Sequence, residues 1–123
     1  MKKHTTYGCE ILEKFKFEED SEFYNYCYNI CRWHHEKSDG KGYPDGLVEK
    51  DIPIYAQAVA IADCFDALVS KRVYKSSVSC QESFDMIQNG ECGQFGETIL
   101  DCFSKAKDDM FAVVDKSAKA GGY

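Results

Sequence analysis

His34-His35-Glu36-Lys37-Ser38-Asp39-Gly40-Lys41-Gly42-Tyr43-Pro44 marks the point where a helical pattern gives way to a turn. Upstream, Phe23, Cys27, Ile30 and His34 recur at four-three-four spacing, one stripe of a helix ending near Trp33. Downstream, residues 36–52 are rich in Gly, Pro and Asp and read as a loop. Neutral imidazoles bind divalent transition metals, so paired histidines at the mouth of such a loop suggest a metal site. The plainer reading is that His34 and His35 end a helix, where the dipole favours them.

The same periodicity extends outward and predicts an all-α chain of about five helices. Residues 5–16 read as a first helix, with His4, Ile11 and Phe15 on one face. Acidic Glu18-Glu19-Asp20-Ser21 suits the start of the second. Pro53 suits the first turn of a third, over about 54–71. That helix is apolar on two sides, Ile54, Ala58, Ile61, Phe65 and Leu68 on one and Ala56, Val59, Ala60 and Ala67 on the other. It is expected to be buried, with Asp63 turned inward, where a carboxylate needs a partner. Ser79 with Glu82 three residues on predicts a capping box for a fourth helix to about Gln88, stopped by Asn89-Gly90. The last helix is expected over 97–114, on the stripe Ile99, Phe103, Ala106, Met110 and Val113. Residues 1–115 read as one domain and 116–123 as a flexible tail.

Composition narrows the function classes. The 123 residues carry a net charge of −6, a poor match for a nucleic-acid polymer or an anionic membrane. A phosphate ester remains open, because bound cations reverse the local field. There is no apolar 18-mer and no signal peptide, so the expected location is the cytoplasm. Seven cysteines, an odd number without Cys-x-x-Cys, fit reduced buried thiols better than a disulfide scaffold. Cys27 and Cys31 with His34 or His35 share a helical face and offer a rival zinc set. The same positions also form the core stripe.

His34-His35-Glu36-x-x-Asp39-Gly40-x-Gly42-Tyr43-Pro44, then Ala62-Asp63-x-x-Asp66-Ala67-Leu68 and Arg72-x-x-Lys75, resembles an HD-GYP domain, a family within the HD superfamily of metal-dependent phosphohydrolases. The resemblance runs from about His4 to about Phe103. It implies a helical fold and metal-dependent hydrolysis of cyclic di-GMP, a bacterial second messenger. It implies His4, His34, His35 and Asp63 as ligands of iron, manganese or zinc. Arg72 and Lys75 then correspond to phosphate-binding positions, against a plain reading as a solvated helix end. Tyr43 either contacts a phosphate or belongs to a rigid loop, for which Gly42 and Pro44 are structural. Asp66 supports Asp63 from one turn away. Glu36 either orients a ligand histidine or faces solvent.

Two departures qualify the resemblance. The family is named for a His-Asp pair, and no His-Asp dipeptide occurs in these 123 residues. The resemblance therefore implies the C-terminal portion of the domain, N-terminally truncated, with little or no catalysis by this chain. Gln94-Phe95-Gly96-Glu97 also stands where relatives carry Phe-Asp-Pro, a relaxed helix start. The alternative is a non-catalytic nucleotide-binding or protein-interaction module, with a homodimer covering the apolar face left open.

Overall fold

A computed structural model describes residues 3–15, 22–70 and 77–119. Among them lie six α-helices: α1 (His4–Phe15), α2 (Glu22–Trp33), α3 (Ile54–Val69), α4 (Cys80–Gln88), α5 (Glu97–Lys105) and α6 (Lys107–Lys119). No helix among the described residues is long and apolar enough to cross a membrane. The acidic run 18–21, the expected helix ends at Lys16 and Lys71, and residues 120–123 of the tail lie outside the described residues.

The chain divides into two units, Met1–Ala60 and Ile61–Tyr123. In the first, α1 packs on α2, and the buried stripe of α1 is Thr5 and Cys9. Ile11, expected on the inner face, is exposed, and the side chain of Phe15 lies outside the described set. Phe23 is also exposed, so the α2 stripe is only half covered. The polar side chains fix where α3 begins. Asn29 Nδ2 donates to the Tyr55 hydroxyl at 2.7 Å, and buried Gln57 donates through Nε2 to the Ile52 carbonyl at 2.9 Å. Pro53 stands one residue before α3, its carbonyl accepting from Ala56 and Gln57.

The second unit is built on aromatic rings. Phe84 stacks on Phe103 with centroids 4.9 Å apart, and Phe65 meets Phe103 edge-on at 5.9 Å. Phe111 closes the set, parallel to Phe65 at 6.2 Å and edge-on to Phe84 at 6.3 Å. Alternating stacked and T-shaped pairs suit the ring quadrupole. Lys107 Nζ covers this cluster, 4.9 Å from the Phe84 centroid.

The α4 boundaries follow the sequence reading: Ser79 Oγ accepts from Glu82 N at 3.2 Å, Asn89 caps the end, and Gly90 takes φ +79°. Gly96 starts α5 without a side-chain cap, since glycine has no side chain to accept the first-turn N–H groups.

Three expectations are corrected. The single last helix breaks at Ala106, which leaves helical geometry at φ −90° and ψ 0° while its N–H bonds Cys102 and Ser104 carbonyls. Continuous apolar spacing could not show this, because Ala106 and Met110 fit one stripe or two. α6 continues to Lys119, into the stretch read as tail. α3 is not buried all round: Ala56, Ala60, Ile61, Phe65 and Val69 are buried, whereas Ile54, Ala58 and Asp63 are exposed. Asp63 therefore turns outward, where water reaches the carboxylate.

Candidate metal centre

The site grows out of the last turn of α2. His34 continues the helical bonding, its N–H reaching the Ile30 carbonyl at 3.1 Å. Its ring then folds back, and Nδ1 lies 2.9 Å from the Ile30 carbonyl and 3.1 Å from that of Cys31. A carbonyl only accepts, so Nδ1 carries the proton and Nε2 of the neutral ring presents a lone pair. Carbonyl contacts of this kind hold the ring in the orientation a ligating histidine needs.

His4, from the start of α1, meets that lone pair: its Nε2 stands 3.3 Å from His34 Nε2. The His35 ring lies 4.3 Å from His34 and 4.7 Å from His4, between centroids. One ligand nitrogen from each of the three histidines lies within 4.8 Å of the others. Nitrogens bound to one tetrahedral cation stand about 3.4 Å apart, given bonds of about 2.1 Å. The three imidazoles therefore fit a divalent cation with small adjustment.

The loop after α2 is tied from within. Glu36, only 2% exposed, neither orients a histidine nor faces solvent. Its carboxylate accepts the Asp45 N–H at 2.7 Å and the Leu47 N–H through its other oxygen. A buried carboxylate is tolerated when backbone donors satisfy both oxygens. Asp45 makes the outer tie: Arg32 donates to its two oxygens at 2.8 and 2.9 Å, and Trp33 Nε1 donates at 2.7 Å. The Arg32 guanidinium holds the Asp45 carboxyl below its ordinary range, partial burial opposes this, and the Trp33 bond adds to it.

Within the loop, Gly40 and Gly46 take positive φ, at 80° and 67°. Gly42 is required for a different reason: a Cβ there would collide with the backbone of Lys37, Glu36 and His35. The close approach lets Tyr43 N–H donate to the His35 carbonyl at 3.2 Å. The Tyr43 ring then stacks on His35, 9° from parallel with centroids 5.1 Å apart. The Tyr43–Pro44 peptide is cis.

The other sequence-predicted residues fall elsewhere. Asp63 and Asp66 lie on the exposed side of α3 in the second unit, and Asp66 accepts the Ser70 hydroxyl at 3.2 Å. Arg72 and Lys75 lie outside the described residues. The rival zinc set does not form: among the described residues the grouped donors are His4, His34 and His35, and the Cys31 thiol is turned to the Thr5 carbonyl. Arg32, Trp33 and Asp45 were not singled out from sequence. Their signal was weak, a Pro-Asp-Gly turn following a helix that ends in Arg-Trp.

A cleft of about 370 Å³ in the second unit is lined by Phe65, Met110, Val113 and Val114 with Asp66 and Asp109 at its rim. It gathers no set of imidazoles, and the chemistry-bearing cluster stays in the first unit.

The profile of the family described as HD domain matches residues 1–99. A cyclic di-GMP phosphodiesterase of Thermotoga maritima is 37% identical over 110 residues, 89% of this chain and 29% of that protein. A probable cyclic di-GMP phosphodiesterase of Vibrio cholerae is 35% identical over 120 residues, 96% of this chain and 27% of that protein. A 3'3'-cGAMP-specific phosphodiesterase 2 of the same organism is 34% identical over 113 residues, 92% of this chain and 21% of that protein. The chain belongs to the HD domain family and carries a domain of the HD-GYP type. It spans less than a third of the length of these relatives.

Proposed function

We propose that this chain contributes a metal-binding, nucleotide-facing part of a phosphodiesterase acting on cyclic dinucleotides, with cyclic di-GMP the first substrate to test. The observation that carries the reading is the convergence of His4, His34 and His35, with the His34 ring fixed by two backbone carbonyls. The names of the relatives supply the substrate class, since they cover cyclic di-GMP and 3'3'-cGAMP.

We assign the three histidines as ligands of a divalent cation, iron, manganese or zinc by donor chemistry; the motif resemblance also offers Asp63, which the structure turns outward on α3. Such a cation lowers the pKa of water and neutralises charge on a transferring phosphoryl group. Arg72 and Lys75 are assigned to phosphate oxygens, a role that suits guanidinium and ammonium. Tyr43, held flat on His35, offers its hydroxyl or ring face to the nucleotide. Asp66 is assigned to support Asp63. These 123 residues contain no His-Asp dipeptide, so the chain by itself is expected to turn over little or no substrate.

The test is metal content of the chain purified without chelator, with cobalt titration and a cyclic di-GMP hydrolysis assay. Stoichiometric metal that His34→Ala abolishes supports the assignment. Absence of metal and no cobalt spectrum would sink it. Metal-dependent turnover by the chain alone would overturn the expectation of little or no activity and keep the site.

A second reading, a dimerising or nucleotide-binding module without catalysis, is favoured by the exposure of Tyr7, Ile11, Phe23 and Tyr26 on α1 and α2. Light scattering separates it: a concentration-dependent dimer lost on Phe23→Ser supports it, and a monomer at high concentration excludes the dimer.

A further inference from the structure

We propose that Cys9 and Cys31 form a redox-active thiol pair, and that peroxide oxidises them to a disulfide tying α1 to α2. Each thiol crosses to the other helix. Cys9 Sγ donates to the Tyr28 carbonyl at 3.7 Å, and Cys31 Sγ donates to the Thr5 carbonyl at 3.7 Å. Tyr28 lies one turn before Cys31, and Thr5 lies one turn before Cys9. The reciprocal bonds bring both sulfurs between the two helices. Gly8 opens the gap on the α1 side, because a Cβ there would collide with Cys31 Sγ.

The two sulfurs are unequal. Cys9 is 2% exposed, and burial, with the neighbouring Cys31 adding to it, pushes its thiol up to about 11. Cys31 is half-buried and open to a small oxidant. Hydrogen peroxide transfers one oxygen to the Cys31 sulfur, giving a sulfenic acid and one water. The Cys9 sulfur then displaces that oxygen, which leaves as a second water with the Cys9 proton. Two thiols lose two electrons and two protons, and one peroxide accepts them. Because Cys9 stays protonated, the second step is slow at neutral pH and quickens as pH rises.

The experiment is graded peroxide on the whole chain, alkylation in denaturant, and mass mapping of linked peptides. The expected product is a Cys9–Cys31 linkage forming before any other pair, faster at pH 9 than at pH 7, and absent in Cys31→Ser. Cys102→Ser, which removes an exposed thiol, should leave it unchanged. Where Cys31→Ser does not fold, Cys9→Ala serves as the second variant. Both thiols remaining alkylatable after oxidation, or linkage scattered over the other cysteines, would overturn the proposal.

Discussion

The two units of this chain are held together by different physics. The first positions its site with directed polar bonds: a buried glutamate on two backbone amides, an aspartate clamped by Arg32 and Trp33, and an imidazole locked by carbonyls. The second rests on four phenylalanine rings whose contacts are apolar. Ring packing tolerates small shifts, whereas a metal ligand set does not. Directed bonds therefore appear where atoms must be aimed, and greasy packing where only area must be buried.

The comparison breaks first, and hardest, at the rings. Phe103→Ala should cost about 3–5 kcal/mol in urea denaturation, because it removes the ring that Phe65 and Phe84 both contact. A loss below about 1 kcal/mol would mean that the cluster does not hold its unit.

Glu36→Gln asks the same of the polar unit. The amide offers one acceptor where two N–H groups need oxygens, so one amide is left facing an NH2. The expected cost is about 2–3 kcal/mol, with faster hydrogen exchange at Asp45 and Leu47. Unchanged exchange at those two amides would refute Glu36 as the loop's anchor.

Gly42→Ala sharpens the contrast further, because its Cβ meets backbone that cannot rotate away. The expected loss is about 1–3 kcal/mol, together with weaker cobalt binding as the His35–Tyr43 contact is displaced. Full stability with intact cobalt affinity would show that the loop has another packing.

The smallest effect is a pH dependence at Asp45. Its folded-state pKa lies below the unfolded value. The pair's stabilisation is thus fully present above the ordinary carboxylate range and fades as pH falls through the depressed folded value. Partial exposure limits it to about 1 kcal/mol. Comparing acid unfolding of the chain with Asp45→Asn measures it, and identical profiles would remove the clamp from the account.

Much of this was legible in the sequence, for local reasons. Helix α4 was readable because Ser79, Glu82 and Gly90 act within one turn of themselves. The histidine cluster was readable because its residues sit in a long spaced motif. The break at Ala106 was not, because its stripe is compatible with one helix or two. The faces of α1 and α3 were misread for a related reason. Periodicity places Ile11 beside His4 or Asp63 beside Ala67, but says nothing of which face finds a neighbour.

By itself the sequence determined the helical class, the loop of residues 36–52 and the residue types able to hold a cation. Spacing, turn chemistry and donor identity are properties of neighbouring positions. The tertiary structure alone decided that His4 meets His34 across 30 residues, that Glu36 is spent on the loop, and that the Cys9 and Cys31 thiols each reach a carbonyl of the other helix. Each depends on packing between segments distant in the chain, which local propensity does not encode.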